Sequence, residues 1–136
     1  MSTPSIQVPA NCELTLGMTC TDKSEPGRTT WVMPADERMA NPAGIIQGGF
    51  LGAMADSAMG SAVITKANDD GRRVVASNAE MKTSFLRPVP VGGTLTCRAE
   101  VIQAGRRAAF AEATVTDERG RVVVRASSTY LLTERD

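Results

Sequence analysis

Asp56 is the only charged residue in the 27 residues between Arg38 and Lys66, and most of its neighbours there are small or apolar. A carboxylate is costly to bury in such surroundings without a partner, and desolvation makes a carboxylate a better base or nucleophile than a surface one. The chain contains no histidine, which excludes histidine-dependent triads and histidine metal sites. Acid–base or nucleophilic chemistry would therefore fall to a carboxylate, with Asp56 as the first candidate, and we expect neither a metal nor a cofactor.

A structural interpretation of Asp56 competes with the catalytic one. A helical aspartate can face solvent, or it can accept hydrogen bonds from nearby hydroxyls such as those of Ser57 and Ser61. The sequence Gln47-Gly48-Gly49, directly before the helical pattern, favours chemistry. Glycines allow a ligand to approach the backbone closely, and the free N–H groups of a first helical turn can hold an anion or an oxyanion.

Composition narrows the possible partners and the compartment. The net charge is zero and aromatic residues are few, so neither the basic surface nor the stacking platform of a nucleic-acid-binding protein is expected. The three cysteines show no CxxC spacing, and we interpret them as reduced thiols in the core or in strands of a cytoplasmic protein. The apolar run at 45–65 has the length of a membrane span, but its small residues favour a buried central helix.

The elements that must position Asp56 are one helix and several strands. The helix is predicted from about Gln47 to about Lys66, ended by the turn residues 68–71. Alternating apolar residues and turn signals predict strands, namely Glu13–Thr21, Arg28–Pro34, Val74–Leu86, Thr94–Val101, Ala109–Thr116 and Val122–Leu132. The order ββ–α–ββββ predicts an α+β domain with a large antiparallel sheet. We expect a flexible arm at 1–11 and a single domain at 12–136, with the outer face of the sheet free for another subunit.

Five short motifs follow one another along the chain, namely Asn41-Pro-x-Gly44-x-x-Gln47-Gly48-Gly49, Ala55-Asp56-Ser57, Phe85-x-Arg87-Pro88, Gly105-Arg106 and Asp117-x-x-Gly120. In this order they resemble the hotdog-fold acyl-CoA thioesterases, closest to their phenylacetate-pathway (PaaI-like) branch. The resemblance covers about residues 12–133. It implies one helix wrapped by a curved antiparallel sheet, and dimers, often paired into tetramers, with active sites at the dimer interface.

The resemblance also implies roles for individual residues. Gly48 matches the glycine whose N–H holds the thioester carbonyl, and Asp56 matches the catalytic carboxylate, which reaches the site from the partner subunit's helix. Asn41 matches a polar residue that helps to place water or the carboxylate. Asn78, or its neighbour Ser77, matches the residue that orients the attacking water.

Gln47 departs from the family pattern, because most relatives have histidine there. A glutamine amide can still donate a hydrogen bond but cannot become cationic. The departure therefore bears on rate and pH profile more than on the fold, and it leaves room for a family member that binds acyl-CoA without hydrolysing it.

The chemistry of a thioester agrees with these assignments. Hydrolysis needs an oxyanion site, which the Gly48 N–H at a helix N-terminus supplies, and a base or nucleophile, which Asp56 supplies. The two residues are eight positions apart, or roughly 12 Å along one helix, so a site shared between two subunits is expected.

The sequence also offers candidates for substrate binding. Phe50, Met54, Met59 and Met81 suggest a flexible apolar pocket, although methionine at helical spacing is more often core, and Gly49 and Ser57 lie beside the catalytic groups. Arg87, Arg106 and Arg107 are candidates for the CoA phosphates, although charges in turns are more often simply solvated. An aryl- or medium-chain acyl-CoA thioesterase is thus predicted, with a hydratase disfavoured by the missing histidine and a non-catalytic acyl-CoA-binding protein as the alternative.

Overall fold

The computed structural model describes residues 8–135. Their core is a six-stranded antiparallel sheet that wraps one long helix. The elements, in chain order, are α1 (Asn11–Leu16), β1 (Thr19–Asp22), β2 (Arg28–Pro34), a 3-10 turn (Glu37–Met39), α2 (Gly48–Asp69), β3 (Val74–Phe85), β4 (Thr94–Ala104), β5 (Ala108–Thr116) and β6 (Val122–Glu134). The α+β class and the hotdog arrangement predicted from the sequence are confirmed.

The sheet order is β1-β2-β4-β5-β6-β3, so β3 is an edge strand that follows the helix in sequence but pairs only with β6. The register sets Asn78 opposite Tyr130 and Met81 opposite Ser128, with a bulge between Asn78 and Glu80. Side chains alternate along a strand, and the bulge adds one residue between Asn78 and Met81. These residues therefore share the face of the sheet that faces α2.

Helix α2 packs its apolar side into the concave face of the sheet. The buried residues of that side are Leu51, Met54, Ala55, Ala58, Met59, Ala62, Val63 and Ala67. Small residues among them let the helix lie close to strands whose inward residues are themselves small, such as Ala109, Ala111 and Ala113 of β5. No helix among the described residues is long and apolar enough to cross a membrane.

A chain of hydroxyls joins α2 to β2. Trp31 Nε1 donates to Ser61 Oγ at 3.0 Å, and Ser61 Oγ lies 3.0 Å from Thr29 Oγ1, which donates to the Ala58 carbonyl at 2.8 Å. Ser61 is therefore occupied in holding the helix on the sheet, since buried polar groups require such partners.

The prediction of a strand at Glu13–Thr21 was wrong over its first half. Residues Asn11–Leu16 form α1, and only Thr19–Asp22 form a strand. The Glu13 carboxylate accepts a hydrogen bond from the Ala10 N–H at 3.0 Å, and Gly17 ends the helix at φ +73°. These are helix start and stop signals, and Leu16 and Met18 are buried at and just after the end of this helix.

Two further expectations change with α1. Cys12 lies exposed on this helix, so it is neither a core nor a strand thiol, whereas Cys20 lies in β1 and Cys97 is buried in β4. All three cysteines are free. Residues 1–7 of the predicted flexible arm lie outside the described residues. The division into an arm at 1–11 and a single domain at 12–136 stays a prediction.

Candidate active site

Asp56 lies on α2, half-buried, and its carboxylate points to the inner faces of β3 and β6. Its Oδ1 accepts a hydrogen bond from the Tyr130 hydroxyl at 2.7 Å and another from Asn78 Nδ2 at 2.9 Å. No described residue donates to Oδ2. The alternative in which Ser57 or Ser61 holds the carboxylate is wrong, because the donors come from the sheet.

Tyr130 is the only tyrosine of the chain, and its side chain is buried. Its hydroxyl lies 2.9 Å from the main-chain carbonyl of Asp56 as well as 2.7 Å from the carboxylate. Burial, and then the hydrogen bond and the charge of Asp56, raise the pKa of Tyr130 far above its ordinary value. Tyr130 is therefore a neutral donor at any physiological pH.

Asn78 faces the same group from β3. Its Nδ2 lies 2.9 Å from Asp56 Oδ1, 3.1 Å from Ser128 Oγ and 3.4 Å from the Tyr130 hydroxyl. The amide orientation is set by this environment, because the opposite one would turn Oδ1 toward a carboxylate. Asn78 Oδ1 is buried and accepts no hydrogen bond from the described residues.

Ser77 is the residue that the sequence could not separate from Asn78. It is exposed and points to the opposite face of β3, where it lies opposite Leu131. Of the two candidates for orienting water, the structure brings only Asn78 to Asp56.

Gly48 and Gly49 open α2, and the structure shows why at least the first of them is glycine. Neither main-chain N–H donates to a described backbone group, as expected for a first turn. A Cβ at Gly48 would lie 2.9 Å from the tip of the Phe85 ring, so a side chain there would displace that ring. The start of α2 therefore offers two free donors beside the end of β3.

The loop before α2 is held by Asn41. Asn41 Oδ1 accepts from the N–H groups of Ala43 and Ile45 at 3.0 and 3.1 Å, and Gly44 takes a positive φ of 77°. This is the turn that Asn-Pro-x-Gly favours. Within its own chain Asn41 holds this loop and makes no hydrogen bond to Asp56.

Gln47 caps the helix through its backbone and not through its amide. Its N–H donates to the Met39 carbonyl at 2.9 Å, its own carbonyl accepts from Phe50 at 3.1 Å, and the exposed side chain makes no capping hydrogen bond. Its amide is free to reach a ligand at the helix start.

A groove of about 790 Å³ runs along the side of α2 that the sheet leaves open, with Asp56 and Ser57 at one end. Trp31, Met18 and Cys20 form one wall, and Ala76, Asn78 and Tyr130 form the other. Phe50 and Met81 are half-buried and pack against the core, outside the groove lining. Met54 and Met59 are fully buried and are core residues.

The three candidate arginines lie exposed at two ends of the molecule. Arg87 follows β3 near the start of α2, whereas Arg106 and Arg107 lie in the turn between β4 and β5. Arg72, just before β3, donates to the Arg106 carbonyl at 2.7 Å, which fixes that turn near the other end of β3. One chain therefore cannot bring all three to one phosphate group.

Sequence reasoning missed Tyr130 and Ser128 as parts of the site. Alternation along the predicted strand Val122–Leu132 puts both on one face, and a lone tyrosine on a buried face needs a partner for its hydroxyl. That requirement was the available signal, but no local pattern links position 130 to position 56.

Comparison with known proteins agrees with this geometry. Residues 43–124 match the thioesterase superfamily model. The chain is 30% identical to a phenylacetic acid degradation-related protein from Ralstonia eutropha JMP134, with 93% of this chain and 92% of that one covered and a TM-score of 0.79. It is 22% identical to the PaaI protein of the Escherichia coli phenylacetic acid degradation operon, over 92% and 86% of the two chains, with a TM-score of 0.83. A hypothetical thioesterase from Streptococcus pneumoniae TIGR4, solved with coenzyme A, is 20% identical over 87% of each chain, with a TM-score of 0.78.

No curated protein sequence matches the chain. A single helix wrapped by this sheet is the hotdog arrangement, and the family match makes the chain a thioester hydrolase. The chain belongs to the thioesterase superfamily, and within it to the PaaI-like hotdog thioesterases.

Proposed function

We propose that this protein hydrolyses the thioester of aryl- or medium-chain acyl-CoA, with Asp56 as the general base or nucleophile. The observation that carries the proposal is the carboxylate of Asp56, held through Oδ1 by Tyr130 and Asn78 at the end of a groove. With Oδ1 engaged, Oδ2 is the oxygen that takes a proton from water or attacks the thioester carbonyl.

The oxyanion site in this proposal is the start of α2. The free N–H of Gly48, supported by that of Gly49, would hold the carbonyl oxygen as negative charge develops on it. The CoA-bound Streptococcus pneumoniae relative supports acyl-CoA as the thioester.

Each site would then be built by two subunits. Gly48 lies against Phe85, and Asp56 is hydrogen-bonded to Asn78. The proposed oxyanion donor and the carboxylate therefore lie beside two residues of β3 that are seven positions apart, on the strand whose outer edge is unpaired. If two β3 edges pair antiparallel about a centre near Met81 and Lys82, Asn78 comes opposite the partner subunit's Phe85, and Asp56 faces the partner subunit's Gly48. A long unpaired edge also favours such pairing.

The same pairing would bring the candidate arginines of the two subunits together. Antiparallel edges bring the Phe85 end of one β3 next to the Val74 end of the other. Arg87 of one subunit would then approach the partner subunit's Arg106 and Arg107, which offers the CoA phosphates cations from both chains. A homodimer, alone or paired into a tetramer, is therefore part of the proposal.

The test is a panel of acyl-CoAs assayed for release of free thiol with the wild type and with Asp56→Asn, which keeps the size of the side chain. We expect wild-type turnover of phenylacetyl-, hexanoyl- or octanoyl-CoA and loss of turnover in the variant. Single-turnover hydrolysis in heavy-oxygen water then tests the nucleophilic role, because label on Asp56 requires an acyl–aspartyl anhydride that water attacks at the aspartyl carbon. A wild type that binds these compounds and releases no thiol would contradict the proposal.

A further inference from the structure

Gly60 is a glycine in the interior of α2, where the conformational cost of glycine is greatest relative to alanine. Packing within the chain does not require it. A Cβ at Gly60 would lie 3.7 Å from the Tyr130 ring, which is ordinary van der Waals contact, in contrast to the 2.9 Å contact at Gly48. The missing side chain at position 60 therefore calls for a different explanation.

Gly60 lies one helical turn after Asp56 and lines the same groove. Residues four apart lie above one another on a helix, so Asp56, Gly60 and Ile64 form a single line along the groove floor. Trp31 and Met18 flank this line on one side, with Ala76 on the other.

Three polar side chains beside this line are already satisfied within the chain, although Glu13, Lys23 and Asn68 also line the groove. The single Ser61 hydroxyl proton has two acceptors in reach, the Ala58 carbonyl at 2.9 Å and Thr29 Oγ1 at 3.0 Å. The Thr65 hydroxyl donates to the Ala62 carbonyl at 2.8 Å while accepting from the Gly27 N–H at 3.0 Å. The Trp31 indole N–H is also taken, by Ser61. Hydroxyls that already have hydrogen-bond partners gain little from a polar ligand. An alkyl chain can cover them without breaking a hydrogen bond, so it incurs no desolvation penalty there.

The geometry points to this groove as the binding site for an unbranched alkyl chain of the acyl group, extended from Asp56 across Gly60 to Ile64, with Gly60 as the residue that keeps the path open. This assignment rests on the proposed function and specifies its substrate class. Eight residues of helix span about 12 Å. An extended alkyl chain advances about 1.3 Å per carbon, given C–C bonds of about 1.5 Å, so the path holds roughly nine carbons. Octanoyl and decanoyl groups are thus the favoured acyl groups.

The experiment compares kcat/KM for acetyl-, butanoyl-, hexanoyl-, octanoyl- and decanoyl-CoA in the wild type and in Gly60→Leu. A leucine at position 60 fills the groove beyond the first few carbons. We expect octanoyl- and decanoyl-CoA to lose at least about tenfold in kcat/KM while acetyl- and butanoyl-CoA stay within about twofold, since methylenes in a filled pocket discriminate on this scale. Gly60→Ala should shift the profile in the same direction by less.

A control variant and a replacement variant complete the experiment. Gly52→Ala makes the same change on the same helix at a glycine that does not line the groove, and it should leave the chain-length profile unchanged. If Gly60→Leu does not fold, as judged by thermal unfolding, Ile64→Phe narrows the same path from its far end and takes its place.

The possible results separate this inference from the proposed function. A wild type inactive on every acyl-CoA overturns both. An active wild type whose chain-length profile is unchanged by Gly60→Leu and Ile64→Phe, or uniformly lowered by them, overturns the inference alone.

Discussion

Asp56 uses its two carboxylate oxygens differently. Oδ1 accepts hydrogen bonds from Tyr130 and Asn78, which fixes the orientation of the group, and Oδ2 has no donor among the described residues. Tyr130 cannot compete for the role of base, because its raised pKa keeps it protonated. The site thus pairs a rigid donor set with one available oxygen, as a base or nucleophile requires.

Replacing Asp56 by alanine should abolish hydrolysis while the folded oligomer remains. The expected fall in kcat is at least about tenfold, or about 1.4 kcal/mol of transition-state stabilisation. Steady-state assays with octanoyl-CoA measure the loss, and Asp69→Ala, at the exposed end of the same helix, is the matched control. A smaller fall in kcat would rule out a catalytic role for Asp56.

Gln47 should act through its amide alone. Its side chain makes no capping bond, so Gln47→Ala should leave stability unchanged and cost activity about 0.5–1.5 kcal/mol, the value of one neutral hydrogen bond. Gln47→His should keep or raise activity and add a titration near pH 6–7, since the chain has no other histidine. If Gln47→Ala hydrolyses several acyl-CoAs at the wild-type rate, the Gln47 side chain takes no part in hydrolysis.

At this scale the sequence identified the carboxylate and not its partners. Asp56 stands out because charge is absent around it. Tyr130 and Ser128 cannot be linked to it by local pattern, because strand order and register bring them to α2 from more than 70 residues away. Register is a property of the whole sheet.

The elements themselves were largely predictable. The long helix and the alternating strands from β2 onward follow from strong periodicity, and the predicted Arg28–Pro34 strand has the observed bounds. The short α1 was missed because its six residues give less than two turns of pattern. The apolar residues of this segment, Leu14 and Leu16 in α1 and Met18 just after it, also fit the alternation of a strand.

The glycines of α2 should respond differently to alanine. Gly52→Ala and Gly60→Ala should each raise the free energy of unfolding by about 0.5–1 kcal/mol, because a Cβ meets ordinary contacts or none and helix propensity improves. Gly48→Ala should gain less, because its Cβ would lie 2.9 Å from the tip of the Phe85 ring and that exposed ring must shift. Urea unfolding of the three variants measures this, and equal stabilisation by all three would contradict the close packing of Phe85 on the helix start.

For the whole molecule, the proposed shared site makes a prediction about mixed subunits. Asp56→Ala and Gly48→Pro proteins should each be inactive, since proline at the first helical position keeps the helix but lacks the N–H proposed as the oxyanion donor. Refolding them together should restore activity. Half of the random dimers are mixed, and each mixed dimer has one intact site of two, so about a quarter of wild-type activity should return. No recovery, with mixed dimers verified by mass, would place both groups of a site in one chain.

The free energy of unfolding should fall at alkaline pH, and this is a property of the whole molecule. Burial raises the pKa of the Cys97 thiol from 9.0 to about 12. Above about pH 9 the unfolded chain therefore loses a proton that the folded chain keeps, and stability falls as pH rises, by up to about 1.4 kcal/mol per unit for one such group. Tyr130 adds to the fall above about pH 10, because its pKa is raised in the same direction.

Urea unfolding of the wild type and of Cys97→Ala across this range measures the contribution of the thiol. The slope of stability against pH should be shallower in the variant, whatever its stability at neutral pH. Parallel slopes would show that Cys97 keeps an ordinary pKa in the folded protein.

Trp31 gives the molecule a built-in optical reporter. It is the single tryptophan of the chain, it lies in the groove wall, and its indole is fixed by Ser61. All indole fluorescence therefore originates beside the groove, where an acyl chain bound as proposed would replace water near the ring and change the emission. In an Asp56→Ala protein, which should bind without turnover, that emission would report occupancy of the groove directly and without a label.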